Sequence, residues 1–353
     1  MSTLATNAIT DAAGGNTATI NSYTPTESNM AGRNRIINGD MRIDQRNAGA
    51  AVTVSSSYPV DRFFGQNINS NSAVVTAQQS TTVPTGFKNS VVVTVTTGGA
   101  VAASDRTFLS QLIEGYNVAD LGFGTANAST VTLSFWVRSS VTGTFGGSLS
   151  NSAVNRAYPF TYTINSANTY EYKSVTIAGD TSGTWVTDNG VGLRVYFGLG
   201  VGTNRQGTAG VWGSADYRSA TGATSIVTTT GATFYLTGVQ LEAGSVATPF
   251  ERRQYGQELA LCQRYYENIV LLDVSGYVNP SKQAYSNIQL IPKRATPSVT
   301  ALSSNTNSDN FFSYEVSFGT NDFQHMALRI NAANGGVNYV RTTFNNLTFN
   351  SEL

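Results

Sequence analysis

VTLSFWVRSSVTGTFGGSL, residues 131–149, is two short runs rich in Val, Thr, Leu and Phe, separated by Ser139-Ser140 and Gly143. That composition is the one pleated, half-buried backbone favours, and the small polar residues between the runs mark a turn. Working outward, comparable runs lie at 73–77, 91–96, 160–164, 170–177, 192–199 and 232–241, bounded by Gly, Ser, Asn and Asp at irregular spacing. Asn38-Gly39, inside RIINGDMRI, reads as a tight turn. Many short strands with long loops predict an all-β chain whose residues 35–250 form a two-sheet jelly-roll sandwich.

The rest of the composition agrees. The chain has 353 residues, with 21 Lys+Arg against 21 Asp+Glu and only 12% charged residues. That is about half the share usual in soluble proteins. Ser, Thr, Asn and Gly take up the difference, as expected where outward strand faces carry hydroxyls and amides. The 17 Tyr and 17 Phe argue against disorder. A net charge of zero, spread along the chain, offers no electrostatic footprint for nucleic acid or an anionic membrane. Cys262 alone cannot make an internal disulfide, and with His325 it cannot assemble a zinc cluster, so no cofactor or metal is expected. Only Lys88, Lys173, Lys282 and Lys293 are lysines; the other cations are arginines, which tolerate burial and subunit contacts better.

The opening MSTLATNAITDAAGG has neither the basic nor the apolar region of a secretory signal, and no window approaches about 20 consecutive apolar residues. The expectation is a protein made in a cytoplasm that leaves it by assembly or lysis. Residues 1–34 hold few large apolar side chains beyond Leu4, Ile9, Ile20 and Tyr23, so they are either floppy or ordered against a partner.

Two segments break the β pattern. In 108–121, Phe108, Leu112 and Ile113 have helical spacing, which predicts a short helix or turn capping one end of the sandwich. The clearest helix, 251–267, follows Pro249 and joins the two β-domains over 251–268. Its Tyr255, Leu259, Cys262 and Tyr266 fall at i, i+4, i+7 and i+11, opposite Arg253, Gln257 and Arg264. So narrow a stripe serves either a seam between chains or packing on the helix's own sandwich. Beyond it, runs at 284–291, 297–302, 311–318, 326–330 and 338–348 predict a smaller C-terminal β-sandwich over 269–353.

Catalytic patterns are weak. The Gly122–Gly124 and Gly198–Gly202 glycine runs lack the following helix and lysine of a phosphate loop. Asp40 with Asp44, Asp180 with Asp188, or Asp216 with Glu242 could supply a glycosidase pair, but 21 acids always offer some pair. His325 lies between apolar residues, where a packed imidazole is expected. No Asp-x-Asp run points to calcium. Trp136 reads as core and Trp185 as a turn residue. The segment 203–222, TNRQGTAGVWGSADYRSATG, stands apart: Arg205, Trp212, Asp216, Tyr217 and Arg218 crowd into a long stretch without strand period. Flat rings among polar groups suit a sugar, whose C–H face stacks while its hydroxyls hydrogen-bond; packing on a neighbouring subunit is the other use.

Several phrases resemble tail-fibre and related virion-surface proteins of tailed bacteriophages: RNRIINGDMRIDQRNAG at 33–49, SYPVDRFF at 57–64, SQLIEGYNVADLGFGTA at 110–126 and LSFWVRSSVTGTF at 133–145. The most specific is FYLTGVQLEAGSVATPFERRQYGQELALCQRYYE at 234–267. The resemblance spans about 34–267 and extends faintly into PKRATPSVT at 292–300. The opening, MSTLATNAITDAAGGNTATINSYTPTESN, resembles N-terminal segments with which phage fibres attach to the virion.

The resemblance implies a carbohydrate-binding-module-like jelly roll in a homotrimeric, non-enzymatic adhesin of the phage tail. Residues 1–34 would be anchored to a tail adaptor or nozzle protein, and the chain would contact host surface polysaccharide. Tyr255, Leu259, Cys262 and Tyr266 would then form the three-fold seam. A head fibre or capsid decoration protein is the alternative role, and a polysaccharide depolymerase a second, against which stands the lack of parallel β-helix repeats.

Overall fold

In the computed structural model the described residues are 32–277, 279, 283–304, 311–319, 322–332 and 339–353. The expected attachment segment 1–34 lies outside them apart from 32–34. The strands of the first unit are β1 (Val52–Thr53), β2 (Ser57–Val60), β3 (Phe63–Ile68), β4 (Val74–Ser80), β5 (Ser90–Thr97), β6 (Arg106–Glu114) and β7 (Val131–Ser139). They continue as β8 (Gly143–Ser150), β9 (Ala157–Ile164), β10 (Glu171–Ile177), β11 (Val191–Val201), β12 (Gln206–Gly207), β13 (Ser219–Ala220) and β14 (Thr233–Ala243). Two six-stranded sheets result, in the orders β1-β4-β5-β14-β7-β10 and β2-β3-β6-β11-β8-β9. The chain passes repeatedly from one to the other, which is the jelly-roll arrangement expected for 35–250.

Alternation decides the core. Val91, Val93 and Val95 of β5, Leu133, Phe135 and Val137 of β7, and Val195, Phe197 and Leu199 of β11 are all buried between the sheets. In β14 the inward residues Phe234 and Leu236 are followed by Val239 and Leu241, a slip of one residue. The register against β7 shifts between Thr237 and Gln240 at that point, and Gly238 takes a φ of 61°. This bulge restores the apolar face after an odd residue, at a position where a positive φ suits glycine.

The segment 108–121 differs from the expected helix or turn. Residues 108–114 belong to β6, and only Gly115–Asn117 and Ala119–Leu121 are short 3-10 turns. Helical spacing was misleading because the inward face of β6 carries Gln111 and the buried Glu114 beside it, which mask its period of two. Both are satisfied. Gln111 pairs with the backbone of Ile37, while Glu114 accepts from Arg264 and from the Tyr265 hydroxyl.

Helix α1 covers Tyr255–Gln263, shorter than the expected 251–267. Ahead of it, Glu251 accepts the backbone N–H groups of Gly32 and Asn34, and Arg253 donates to the carbonyls of Ile36 and Asn34. These ties keep 251–254 extended. After it, the fully buried Tyr265 leads into β15 (Tyr266–Tyr277). The remaining strands are β16 (Gln283–Gln289), β17 (Ser298–Ser304), β18 (Phe311–Gly319), β19 (Asp322–Ala332) and β20 (Tyr339–Asn350). They form two three-stranded sheets, β15-β20-β17 and β16-β19-β18, around Leu290, Met326, Leu328, Phe344, Leu347 and Phe349. His325 falls on β19 opposite Gln289.

Where the two β-units meet, the sparse charges are concentrated. Arg62, almost fully buried, pairs with Glu352 and lies 3.5 Å from the Tyr265 ring centroid. Arg294 donates to the carbonyls of Asn189, Ser351 and Glu352. Lys293 pairs with Glu267 and donates to the Gln263 carbonyl, with burial pulling its ammonium pKa down against that pairing. Buried charges persist only when paired and hydrogen-bonded, and these are.

Candidate functional site

The outward face of the second sheet carries the site. Successive side chains on a strand point to opposite sides, so the residues that alternate with the core face away from it. On β6 these are Arg106, Phe108, Ser110 and Leu112; on β3, Phe64 and Gln66; on β11, Arg194 and Tyr196. Register sets them in rows, with Phe64 and Tyr196 flanking Ser110, and Gln66 opposite Phe108. Together with Tyr58, Arg218 and Leu353 they line a pocket of about 310 Å³. That is the lower end of the size range of ligand sites.

The floor is aromatic. Phe108 and Tyr196 meet edge to face at 5.0 Å, and Tyr58 meets Phe64 likewise at 5.3 Å. The walls are cationic and amide. The Arg106 Nε donates to Gln66 Oε1 at 2.9 Å, and Arg194 donates to the Ser152 carbonyl at 3.2 Å. Arg218 lies over both rings of the floor, 4.6 Å from the Tyr196 centroid and 5.2 Å from that of Phe108. Among the described residues two buried polar atoms of the lining have no hydrogen-bond partner, the Tyr196 hydroxyl and the Arg194 Nε. Tyr196 is 1% exposed. A buried polar group without a partner carries a free-energy cost that a bound ligand could relieve.

The segment 203–222 forms one edge of this pocket. It is less structureless than its sequence implies: a 3-10 turn at Thr203–Arg205 and the parallel pair β12/β13 run through it. Ser219 packs on Gly198 of β11, where a side chain would collide with it, so Gly198 is a landing site for this segment. The Ser148 hydroxyl donates to the Tyr217 carbonyl at 2.8 Å and pins the segment above β8. One side of the sheet face is thereby covered, and the side above β3, β6 and β11 is left as the pocket.

Of the five residues expected to contact glycan, three come together. Asp216 accepts from Arg218 Nε at 2.6 Å and from Arg218 Nη2 at 3.1 Å, and it also pairs with Arg205. Only Arg218 reaches the pocket. Tyr217 is packed on the backbone of Gly207 and Gly213, too close for a Cβ at either position. Trp212 points elsewhere. It meets Tyr158 at 5.3 Å, Trp185 at 5.6 Å and Phe123 at 6.0 Å, and its indole N–H donates to the Ala178 carbonyl at 2.8 Å. Trp136, read as core, is half-buried on the outer face of the first sheet, 5.5 Å from the 45%-exposed Tyr172.

The residues expected to form a seam are likewise distributed. Cys262 is fully buried and clusters with Ile37, Ile43 and Tyr265, with Leu259 against them, all within one chain. Burial pushes the Cys262 thiol pKa well up. Tyr255 is 56% exposed, and Tyr266 lies on β15 with the Arg46 guanidinium 3.7 Å from its ring centroid. Within the chain, Cys262 and Leu259 of the stripe pack on residues of the first unit, while Tyr255 stays exposed.

The carboxylates proposed in pairs are individually committed: Asp180 to Arg156, Asp188 to the Gly190 N–H, Asp216 to two arginines, Glu242 to Thr248 and Gln240, Asp40 to Arg42, and Asp44 to Asn47 and Gly49. Among the described residues no cluster of three or more His, Cys, Asp or Glu side chains is placed to hold a metal ion, and no helix is long and apolar enough to cross a membrane.

Sequence reasoning missed the pocket because its residues are dispersed over β2, β3, β6 and β11. A signal existed in the text: Arg194 and Tyr196 alternate with Leu193, Val195 and Phe197, an outward face too polar and aromatic to be simple solvent cover.

No protein-family model matches the chain, and no curated protein matches it. Among solved structures it is similar to the enzymatically active domain of tailspike protein 4 of bacteriophage CBA120, at 13% identity and a TM-score of 0.33, over 60% of this chain and 21% of that one. A CBM4 module is similar at 13% identity and a TM-score of 0.32, over 59% of this chain and 98% of its own. The module TmCBM61, solved with β-1,4-galactotriose, is similar at 10% identity and a TM-score of 0.29, over 60% of this chain and 99% of its own.

Proposed function

We propose that this chain is a non-catalytic, carbohydrate-contacting adhesin of a phage virion, and that the pocket above β3, β6 and β11 is where it holds polysaccharide. The observation that carries the reading is the lining itself. Tyr58 and Phe64, both partly exposed, supply the aromatic surface a sugar ring stacks on, and Gln66, Arg106, Arg194 and Arg218 supply planar hydrogen-bonding groups for its hydroxyls. Among the described residues no Asp or Glu side chain lines the pocket, which there lacks the two flanking carboxylates that glycoside hydrolysis ordinarily uses.

The tail-fibre assignment is supported by the phrases at 33–49, 57–64, 110–126, 133–145 and 234–267. On this reading the chain is a homotrimer on the phage tail, and 1–34 docks on a tail adaptor or nozzle protein. Few exposed lysines and hydroxyl-covered sheet faces suit a surface that packs against copies of itself and faces sugar.

Three measurements test the proposal together. Retardation of the purified protein in native gels cast with host-surface polysaccharide is the expected result, without release of reducing ends. Mass in solution is expected to be that of a trimer, and immunogold labelling of virions is expected at the tail. Release of reducing ends would overturn the non-catalytic reading, a monomer the trimer, and label on the capsid the tail location.

A further inference from the structure

Resting on the proposed polysaccharide site, we infer that the pocket selects acidic glycans, those whose sugars carry carboxylates. Three guanidinium groups, those of Arg106, Arg194 and Arg218, face it, and no Asp or Glu side chain does. Among the described residues Asp216 is the only carboxylate paired with any of the three, and it is shared with Arg205. Arg106 donates to the Gln66 side-chain oxygen and Arg194 to the Ser152 carbonyl; neither contact neutralises charge.

The cations therefore feel one another. Burial, with Arg218 and Arg205 adding to it, pulls the Arg106 pKa down, and Asp216 opposes only in part. Bringing like charges together over an apolar floor is unfavourable unless an anion completes the set. The geometry fits a uronic-acid type of ligand. A pyranose ring stacks on the partly exposed Tyr58 and Phe64, while a ring carboxylate takes paired N–H donors from a guanidinium better than from any other side chain. Among the described residues the Tyr196 hydroxyl and the Arg194 Nε, both in the pocket lining, have no hydrogen-bond partner.

The test uses the full chain with three polymers: polygalacturonate, alginate and hyaluronate. Each is paired with its own counterpart in which the carboxyl groups are reduced to primary alcohols, and poly-glutamate serves as a polyanion that is not a glycan. The expected result, read by titration calorimetry, is that at least one acidic polymer binds about tenfold or more tighter than its reduced counterpart. The double variant Arg106→Gln, Arg194→Gln, with an unchanged melting profile, is expected to bring that pair within about twofold. Equal binding of acidic and reduced polymers would overturn the acidic selectivity and leave the polysaccharide site standing. Poly-glutamate binding as tightly as the best polyuronate would also overturn it, since charge alone would then suffice. Binding of none of the glycans would overturn both readings. The comparison of polymers needs no variant, so it holds even if the double substitution fails to fold.

Discussion

The guanidinium carbon of Arg218 lies 4.6 Å from the centroid of the Tyr196 ring, so that ring is roofed by a cation that Asp216 holds in place. Asp216→Asn keeps the shape of the side chain and removes the charge that fixes Arg218. The pair is partly solvated, with 14% and 20% of the two side chains exposed, so stability is expected to fall by only about 1 kcal/mol or less. Glycan binding is expected to weaken several-fold, because Arg218 is then free to leave the pocket. A melting curve and an affinity gel on the same preparation check both halves.

Tyr196→Phe isolates the hydroxyl. That oxygen is buried and has no hydrogen-bond partner among the described residues, so deleting it is expected to leave stability unchanged or slightly raised. The ring contact with Phe108 at 5.0 Å stays. If the hydroxyl is reserved for a sugar, binding falls by about fivefold to tenfold, the worth of one net hydrogen bond. A titration of the variant against the polymer bound best by the unaltered protein gives the answer, and undiminished affinity would remove Tyr196 from the contact set.

Trp212→Ala is expected to act on folding first. The indole is a hub for Phe123, Tyr158 and Trp185 and donates to the Ala178 carbonyl, so its loss should cost about 2 kcal/mol for a half-buried ring. Glycan affinity of the protein that remains folded is expected to be unchanged. Urea denaturation followed by binding at low temperature distinguishes this from a direct role in contact, which would lower affinity at constant stability.

These residues also mark where the text was legible. The strands around Val131–Ser139 and Val191–Val201 could be read because their inward faces are uniformly apolar, and the jelly roll follows from their number and turns. Strand β6 could not, since Gln111 and Glu114 occupy inward or buried positions that only distant partners satisfy: Ile37 is 74 residues away and Arg264 is 150. The pocket was hidden for a related reason. Its lining is drawn from alternate positions of separate strands, and proximity in sequence, which singled out Trp212 and Tyr217, does not measure proximity across a sheet. The phrase at 234–267 turned out to be joinery. Gln240, Glu242 and Thr248 fasten one turn, Glu251 and Arg253 bind the 32–36 backbone, and Glu258 accepts the Asn38 N–H at 2.6 Å.

Gln111→Ala measures one such long-range tie. Gln111 is 1% exposed; its Oε1 accepts the Ile37 N–H at 2.8 Å, and its Nε2 donates to the Ile37 carbonyl at 2.8 Å. Removing the amide leaves a buried backbone donor and acceptor unpaired, each costing about 1–3 kcal/mol. A loss of about 3 kcal/mol in chemical denaturation is expected, and Gln111→Glu is expected to be no better, because a carboxylate cannot donate to the carbonyl.

Asp61 supplies a pH dependence with a definite sign. Burial lifts its carboxyl from 3.8 to about 6, against the pull of Arg46 and the Gln45 hydrogen bonds. In the unfolded chain the group ionises near 3.8, so between about pH 4 and pH 6 the folded state binds more protons than the unfolded one. Its contribution to stability is therefore fully present below pH 4 and is lost as pH rises through 6. The loss is on the order of 3 kcal/mol at about 1.4 kcal/mol per pKa unit. Asp61→Asn cannot titrate, and its amide oxygen still accepts one hydrogen bond from Gln45. The variant is expected to give a flatter profile of unfolding free energy from pH 4 to pH 7 than the unaltered protein, measured in urea at constant ionic strength. Parallel profiles would place the folded-state ionisation of Asp61 back at its ordinary value and assign the slope to other groups.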